Sequence, residues 1–158
     1  MTISQDIKHE LDRIQALQGP ARLVVDAPAG SLESQLATVD AIGCALESLA
    51  YRTDKLAGAT IAQLKKLSGD LTKRLTYLLE PIGALEADAE SCTVQMRSSP
   101  PQQGEDGSSY YELLVRRGGE ISLCRYAKSP GQVRRTIPAQ VTREVFTRLA
   151  EDFVAAVG

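Results

Sequence analysis

The feature that most constrains this fold is a stretch without proline that covers residues 31–80. Apolar residues recur through it every three or four positions, which is the spacing that places side chains on one face of a helix. A repeat of this kind predicts a helix that packs lengthwise against another helix. The apolar stripe of the first half consists of Leu32, Val39, Ile42, Leu46, Leu49 and Leu56.

The apolar stripe shifts by one residue near Gly58, so a single straight helix could not keep all of it on one core. Glycine suits the left-handed position just past a helix end, and Thr60 with Gln63 fits a capping box at the start of a second helix. The pattern therefore favours a long helical hairpin broken near Gly58. The alternative is one unbroken helix over residues 31–79 that dimerises as a coiled coil.

The same stripe is the predicted surface for self-association. Small residues beside it would let a partner helix approach closely. The expected partner is a second copy of the chain, giving a homodimer, or another helical protein. The residues assigned to this surface are Val39, Ile42, Gly43, Leu46, Leu49, Ala50, Leu56 and Ala57.

The segments on either side of this stretch have other periodicities. Apolar residues at helical spacing predict a first helix over residues 3–17. After Pro81, alternation of apolar and polar residues predicts strands with one buried face. The pair Gly118-Gly119 predicts a hairpin with a two-residue turn, and a last helix is expected to begin at Pro138.

The length of that turn decides which side chains face each other in the hairpin. A two-residue turn places Glu112 opposite Arg125 and Arg117 opposite Glu120. Both arginines would then be paired with a carboxylate across the strands. The sequence therefore predicts that neither of these arginines is free to bind a ligand.

Together these patterns predict an α+β fold. Its parts are an N-terminal helix, a long helical hairpin or coiled-coil helix, an antiparallel meander of four or five strands, and a C-terminal helix. Residues 1–80 would form a mainly helical region and residues 81–158 the meander with the last helix. The two regions are expected to form one compact unit.

The charge balance argues against a nucleic-acid-binding domain, which is usually strongly basic. The chain has 18 basic and 20 acidic side chains and a formal net charge of −2. Basic residues beside tyrosines on a sheet could still bind a small molecule, an anion or single-stranded nucleic acid. The residues assigned to this surface are Tyr110, Arg116, Lys128, Arg134 and Arg135.

No set of residues fits a catalytic or metal-binding motif, so we predict no catalytic residue, no metal and no cofactor. His9 is the only histidine, and Glu86 with Asp88 fits a solvated strand face. The three cysteines are too widely spaced for a disulfide framework. Because the sequence shows no signal peptide and no apolar run long enough to span a membrane, we expect a cytoplasmic protein without a membrane partner.

The function predicted from the sequence is a non-enzymatic protein–protein interaction or assembly module that self-associates through its long helices. The alternative is a small-molecule, anion or nucleic-acid binder that uses the basic, tyrosine-containing sheet face. An enzyme is the least favoured of the three, because no nucleophile and base occur as a recognisable set.

Overall fold

The computed structural model describes residues 2–158 and folds them into three α-helices and ten β-strands. The helices are α1 (Ile3–Leu17), α2 (Ile61–Arg74) and α3 (Arg143–Val157), and a short 3₁₀ turn covers Asp54–Leu56. The strands are β1 (Ala21–Ala27), β2 (Gly30–Val39), β3 (Gly43–Thr53), β4 (Ile82–Asp88), β5 (Thr93–Ser98), β6 (Gln102–Gly104), β7 (Gly107–Arg116), β8 (Glu120–Lys128), β9 (Arg135–Ile137) and β10 (Ala139–Thr142).

All ten strands belong to one antiparallel sheet with the main order β1-β2-β3-β8-β7-β5-β4. Three short strands pair beside this path, β10 with β3, β9 with β8 and β6 with β7. β4 ends the sheet, and a bulge at Leu85 interrupts its pairing with β5. Because β3 pairs with β8, the first and second halves of the chain share one continuous sheet.

The predicted long helical segment is wrong, and with it the predicted fold class. Residues 30–53 form β2 and β3, which pair antiparallel over most of their length. Neither a helical hairpin nor a coiled-coil helix occurs within residues 2–158. The fold is a ten-stranded sheet with three short helices, and the first 80 residues contribute three of the strands.

The predicted break near Gly58 corresponds to the turn that leads into α2. Here the capping box is confirmed: the Thr60 hydroxyl accepts a hydrogen bond from the Gln63 N–H at 3.2 Å, and the Gln63 side chain accepts one from the Thr60 N–H at 2.8 Å. Gly58 does not adopt the left-handed φ expected of a residue between two helices. The turn therefore joins α2 to a strand and a 3₁₀ turn.

Two bulges explain why the apolar residues of β2 and β3 recur at the spacing expected of a helix. Pairing steps from Gln35 opposite Ser48 to Leu36 opposite Leu46, which leaves one extra residue in β3. A second irregularity leaves one extra residue in β2. Because an extra residue shifts the alternation of side chains, Leu46 and Leu49 both reach the core although three positions separate them.

All three helices pack on one face of the sheet and bury their apolar sides against it. The opposite face, called here the open face, carries mainly polar side chains. None of the helices in residues 2–158 has both the length and the apolar character needed to cross a membrane. The helix residues that are most deeply buried are Ile7, Leu11 and Ile14 of α1, Leu64 and Leu71 of α2, and Phe146, Leu149 and Phe153 of α3.

The residues predicted for self-association lie on β2, β3 and their connections, and they do not form a helical seam. Leu46, Leu49 and Leu56 are buried in the core of their own chain, whereas Ile42 in the β2–β3 turn is 78% exposed. The rest are also divided: Val39 and Gly43 are half-buried, Ala50 is buried and Ala57 is exposed.

The β7–β8 hairpin has a three-residue turn, so the predicted two-residue turn is wrong. Arg116 lies opposite Glu120 and Glu112 lies opposite Cys124, which separates both predicted cross-strand pairs. A shift of one residue moves side chains to the other face of a strand. Arg125 therefore points to the helix-covered face, and Glu112 lies on the open face.

Candidate functional site

Ion pairs link four strands across the open face. Arg22 of β1 lies 2.7 Å from Glu33 of β2, and Glu33 lies 3.1 Å from Arg52 of β3. Arg52 in turn lies 3.5 Å from Glu120 of β8. Both arginine side chains are more than half exposed. Exposed pairs of this kind stabilise little and are screened by salt, so this row is a solvated surface, although Arg52 and Glu120 also line a small concavity of about 280 Å³.

Farther along the open face, two arginines and two tyrosines form a stacked group, called here the arginine–tyrosine cluster. The Arg97 guanidinium lies 4.4 Å from the ring centroid of Tyr110, and that of Arg134 lies 3.9 Å from the ring centroid of Tyr126. The two rings are 6.0 Å apart. These are cation–π contacts, and they hold the β8–β9 loop, which carries Arg134, against the sheet.

A buried glutamate lies at the centre of the arginine–tyrosine cluster. Only 3% of the Glu112 side chain is exposed. Its carboxylate accepts hydrogen bonds from Arg134 at 3.1 Å and from the Gln95 amide, and Arg97 lies 3.7 Å away. The Arg97 Nε is buried and has no hydrogen-bond partner in residues 2–158. Glu112 thus neutralises one of the two positive charges of the cluster.

The structure brings together only two of the five residues predicted for ligand binding. The Arg134 guanidinium donates a hydrogen bond to the Tyr110 hydroxyl at 3.3 Å. This bond, followed by the contact with Glu112, raises the pKa of Arg134. The other three lie apart: Arg116 opposite Glu120, Lys128 bonded to the carbonyl of Gln132, and Arg135 exposed on β9.

We expect no measurable binding of single- or double-stranded nucleic acid near physiological salt. Glu112 and Glu120 lie beside the arginines whose charge a phosphate backbone would need, and the whole chain is acidic. Fluorescence anisotropy with labelled oligonucleotides at low and physiological salt measures this. Micromolar binding that weakens steeply with salt and disappears in Arg116→Glu would contradict the expectation. Binding of a small anion to this face stays a prediction.

A pocket of about 480 Å³ lies on the helix-covered side of the sheet, among residues that sequence reasoning missed. It forms where the α2–β4 loop, residues 75–81, meets β7, β8, β10 and the first turn of α3. Its volume falls in the range of small-ligand sites. We call it the Leu79 pocket, because Leu79 lies on its lining together with Leu78, Glu80, Tyr111, Arg125, Val141 and Val145.

One clamp ties the α2–β4 loop to α3. The Tyr77 hydroxyl donates a hydrogen bond to Asp152 Oδ2 at 2.6 Å, and the Arg148 guanidinium lies 4.1 Å from the Tyr77 ring centroid. Burial, followed by this hydrogen bond, raises the pKa of Tyr77. The phenol therefore stays protonated at physiological pH and keeps donating to Asp152.

A second clamp ties the other end of the loop to the sheet. Glu80 accepts hydrogen bonds from the Ser98 hydroxyl at 3.0 Å and from Arg125 at 2.9 Å. Only 11% of the Glu80 side chain and 12% of the Arg125 side chain are exposed. Arg125 also lies 4.5 Å from the ring centroid of Tyr111. The two charges that line the pocket are thus opposite in sign and paired.

Leu79 projects into solvent between the two clamps. Its side chain is 94% exposed, and its φ of +66° lies in the left-handed region, which costs an L-residue roughly 1–2 kcal/mol. Leu78 is buried on one side and Glu80 is clamped on the other, so the backbone cannot relax. Glycine would adopt this conformation without the steric cost, and the leucine therefore needs an explanation other than backbone geometry.

A second concavity of about 790 Å³ lies between α1 and α3. Arg143 lies across it, donating hydrogen bonds to Asp12 and to Gln15, both at 2.7 Å. The bond from Arg143 is the main reason that the pKa of Asp12 is lowered. The charged residues along this groove balance each other: Lys8, Arg143 and Arg148 against Asp12, Glu144 and Glu151.

Two of the three thiols are deactivated by burial. Burial raises the pKa of Cys44 to about 11 and also raises that of Cys124, so both are protonated at neutral pH and are weak nucleophiles. Residues 2–158 contain no cluster of three or more His, Cys, Asp or Glu side chains that could hold a metal ion. Asp88 instead caps its own turn by accepting hydrogen bonds from Glu90 and Ser91.

The chain matches no protein-family model, and no curated protein sequence is detectably similar to it. Among solved structures, the crystal structure of a DUF4468 family protein from Bacteroides ovatus is similar, with a TM-score of 0.30 and 11% sequence identity. The similarity covers 72% of this chain, and this chain spans 64% of the length of that one. A likeness this weak carries no argument about fold or function.

Proposed function

We propose that this protein is a non-enzymatic interaction module that accepts an apolar side chain of a protein partner in the Leu79 pocket. The observation that carries the proposal is Leu79 itself, which is 94% exposed at a left-handed φ on the lining of a pocket with a partly apolar wall. Strained positions of this kind cluster at functional sites. Covering an exposed leucine contributes about 1.5–3 kcal/mol, which offsets the strain only when a partner is bound.

The composition of the pocket supports an apolar guest. Leu78, Val141 and Val145 present hydrocarbon to it. Glu80 and Arg125 are already bonded to each other, so a guest does not have to supply a counter-charge. Exposed apolar side chains beside a preformed pocket are typical of protein interaction sites.

The proposal places this module in the cytoplasm. Cys44, Cys92 and Cys124 are all free thiols. Free thiols are usual in a reducing compartment, whereas secreted domains commonly pair them. This observation supports the compartment and is independent of the pocket.

A small mimic of a leucine side chain tests the pocket directly. Titration of dilute, isotope-labelled protein with N-acetylleucinamide should shift the NMR signals of Val141 and Val145, while N-acetylalaninamide should not, because its side chain buries too little apolar surface. Dilute protein keeps association between copies from competing. Equal shifts with both compounds, or shifts confined to the groove between α1 and α3, would contradict the proposal.

Two matched variants on α3 control for indirect effects. Val145→Gln places a longer polar side chain in the pocket and should remove the response to N-acetylleucinamide. Thr147→Gln lies on the side of α3 that faces the groove with α1 and should leave the response unchanged. A response that survives Val145→Gln would show that the mimic binds elsewhere.

A further inference from the structure

We infer that the partner of the Leu79 pocket is a second copy of this chain, with Leu79 of each copy inserted into the pocket of the other. The inference rests on the proposed function and names its partner. Its basis is that one surface patch carries both a projecting apolar side chain and a cavity large enough to receive such a side chain.

An apolar projection next to a cavity that can receive it suits a two-fold symmetric contact. In such a contact each copy uses the same patch, so residue i of one meets residue j of the other and the reverse. Leu79 lines its own pocket but does not fill it, because its side chain is 94% exposed and the loop is clamped on both sides through Tyr77 and Glu80. Rotation of a second copy by 180° brings each Leu79 toward the other pocket.

Charge favours the same arrangement. A two-fold contact brings each charge of the patch close to the same charge on the second molecule. A patch with a net charge would therefore repel itself. The charged residues that line the Leu79 pocket are Glu80 and Arg125, which cancel. The rim otherwise offers neutral groups from Gln102, Gln140 and Thr142. By contrast, the arginine–tyrosine cluster keeps a net positive charge and would oppose self-association.

A two-fold contact gives a reason for the strained backbone at Leu79. A left-handed residue between two clamped neighbours directs its side chain away from its own chain. In the dimer, one contact would bury the Leu79 side chains of both copies. Replacement by glycine should relieve the strain in each copy and remove the contact, so folding and association should respond in opposite directions.

Sedimentation equilibrium of the full chain tests the inference. The wild type should form a dimer in the micromolar range, and Leu79→Gly should weaken dimerisation at least tenfold, because two leucines per dimer are lost from the interface. The melting temperature of dilute Leu79→Gly should be no lower than that of the wild type. Leu17→Ser removes another exposed leucine, on α1, and should leave dimerisation unchanged.

Disulfide trapping tests the reciprocal contact itself. Leu79→Cys protein mixed with Val145→Cys protein should form a crosslinked pair under mild oxidation, and the yield should fall when Ile42→Cys replaces Leu79→Cys. Ile42 is also exposed but lies in the β2–β3 turn, away from the pocket. Equal yields from both mixtures would overturn the inference.

The outcomes separate the inference from the proposed function. Suppose that the wild type stays monomeric in the high-micromolar range while N-acetylleucinamide still binds the pocket. That result overturns the inference that the partner is a second copy, and it leaves the proposed interaction module standing. A dimer that Leu79→Gly does not weaken also overturns the inference. Failure of N-acetylleucinamide to bind the pocket removes the proposed function and the inference together.

Discussion

Replacing Leu46 by aspartate should lower the free energy of unfolding by about 4 kcal/mol or more, whereas Ile42→Asp should change it by less than about 0.5 kcal/mol. Leu46 is 1% exposed within β3 and Ile42 is 78% exposed in the β2–β3 turn. An aspartate at residue 46 would bury a charge without a partner. Domains of this size are stable by only about 5–15 kcal/mol, so most of the stability would be lost.

This pair of variants separates the strand structure from the helical pattern that the sequence suggests. On a helical stripe Leu46 and Ile42 would belong to the same seam, and both changes would be costly. Urea denaturation at two protein concentrations provides the measurement. Because Leu46 packs within its own chain, the loss of stability in Leu46→Asp should not depend on the protein concentration. Similar losses for both variants would argue for the seam and against the sheet.

Replacing Glu112 by glutamine should cost about 2–3 kcal/mol, because the change leaves Arg97 and Arg134 around a neutral amide. The cost of breaking a fully buried ion pair would be larger, but the two arginine side chains are 33% and 37% exposed, and water therefore compensates in part. The β8–β9 loop should also become more mobile, since Arg134 anchors it. Chemical denaturation and amide hydrogen exchange of residues 129–134 measure these two effects.

Glu33→Gln is the matched control for this change. Glu33 also holds two arginines on the open face, Arg22 and Arg52, but their side chains are 53% and 55% exposed. The expected loss is below about 1 kcal/mol, as for other exposed ion pairs. If Glu33→Gln cost as much as Glu112→Gln, burial could not be the reason for the larger effect.

The elements with one simple period were predictable from the sequence. Helix α1 spans Ile3–Leu17 as its apolar spacing predicts, and the capping box of Thr60 and Gln63 begins α2. A hairpin does form around Gly118-Gly119. In each case local propensity and tertiary packing favour the same structure.

The long helical segment was predicted wrongly because two effects acted in the same direction. Leu, Ala and Glu are frequent in residues 31–50 and are strong helix formers. The bulges in β2 and β3 also put apolar side chains on one face at a spacing of three, as at Leu46 and Leu49. Pairing with β8 and β10 and packing of α3 override the propensity, and none of these contacts is visible in a local pattern.

The site was not predictable for a related reason. The Leu79 pocket combines a loop at residues 75–81 with strands and a helix from the last third of the chain. In the sequence Leu78 and Leu79 look alike, yet one is 6% and the other 94% exposed. Likewise, Glu112 meets Arg134 only because the hairpin turn has three residues, a length that the Gly-Gly pair alone does not determine.

The bulge at Leu85 protects one edge of the sheet from pairing with a strand of another molecule. β4 ends the sheet, and an unpaired edge can recruit further strands and start amyloid-like growth. Here the bulge distorts that edge, and the exposed Glu86 and Asp88 would meet like charges on a second copy. Both features make β4 a poor template for a strand of another copy, so growth of the sheet by pairing at this edge is disfavoured.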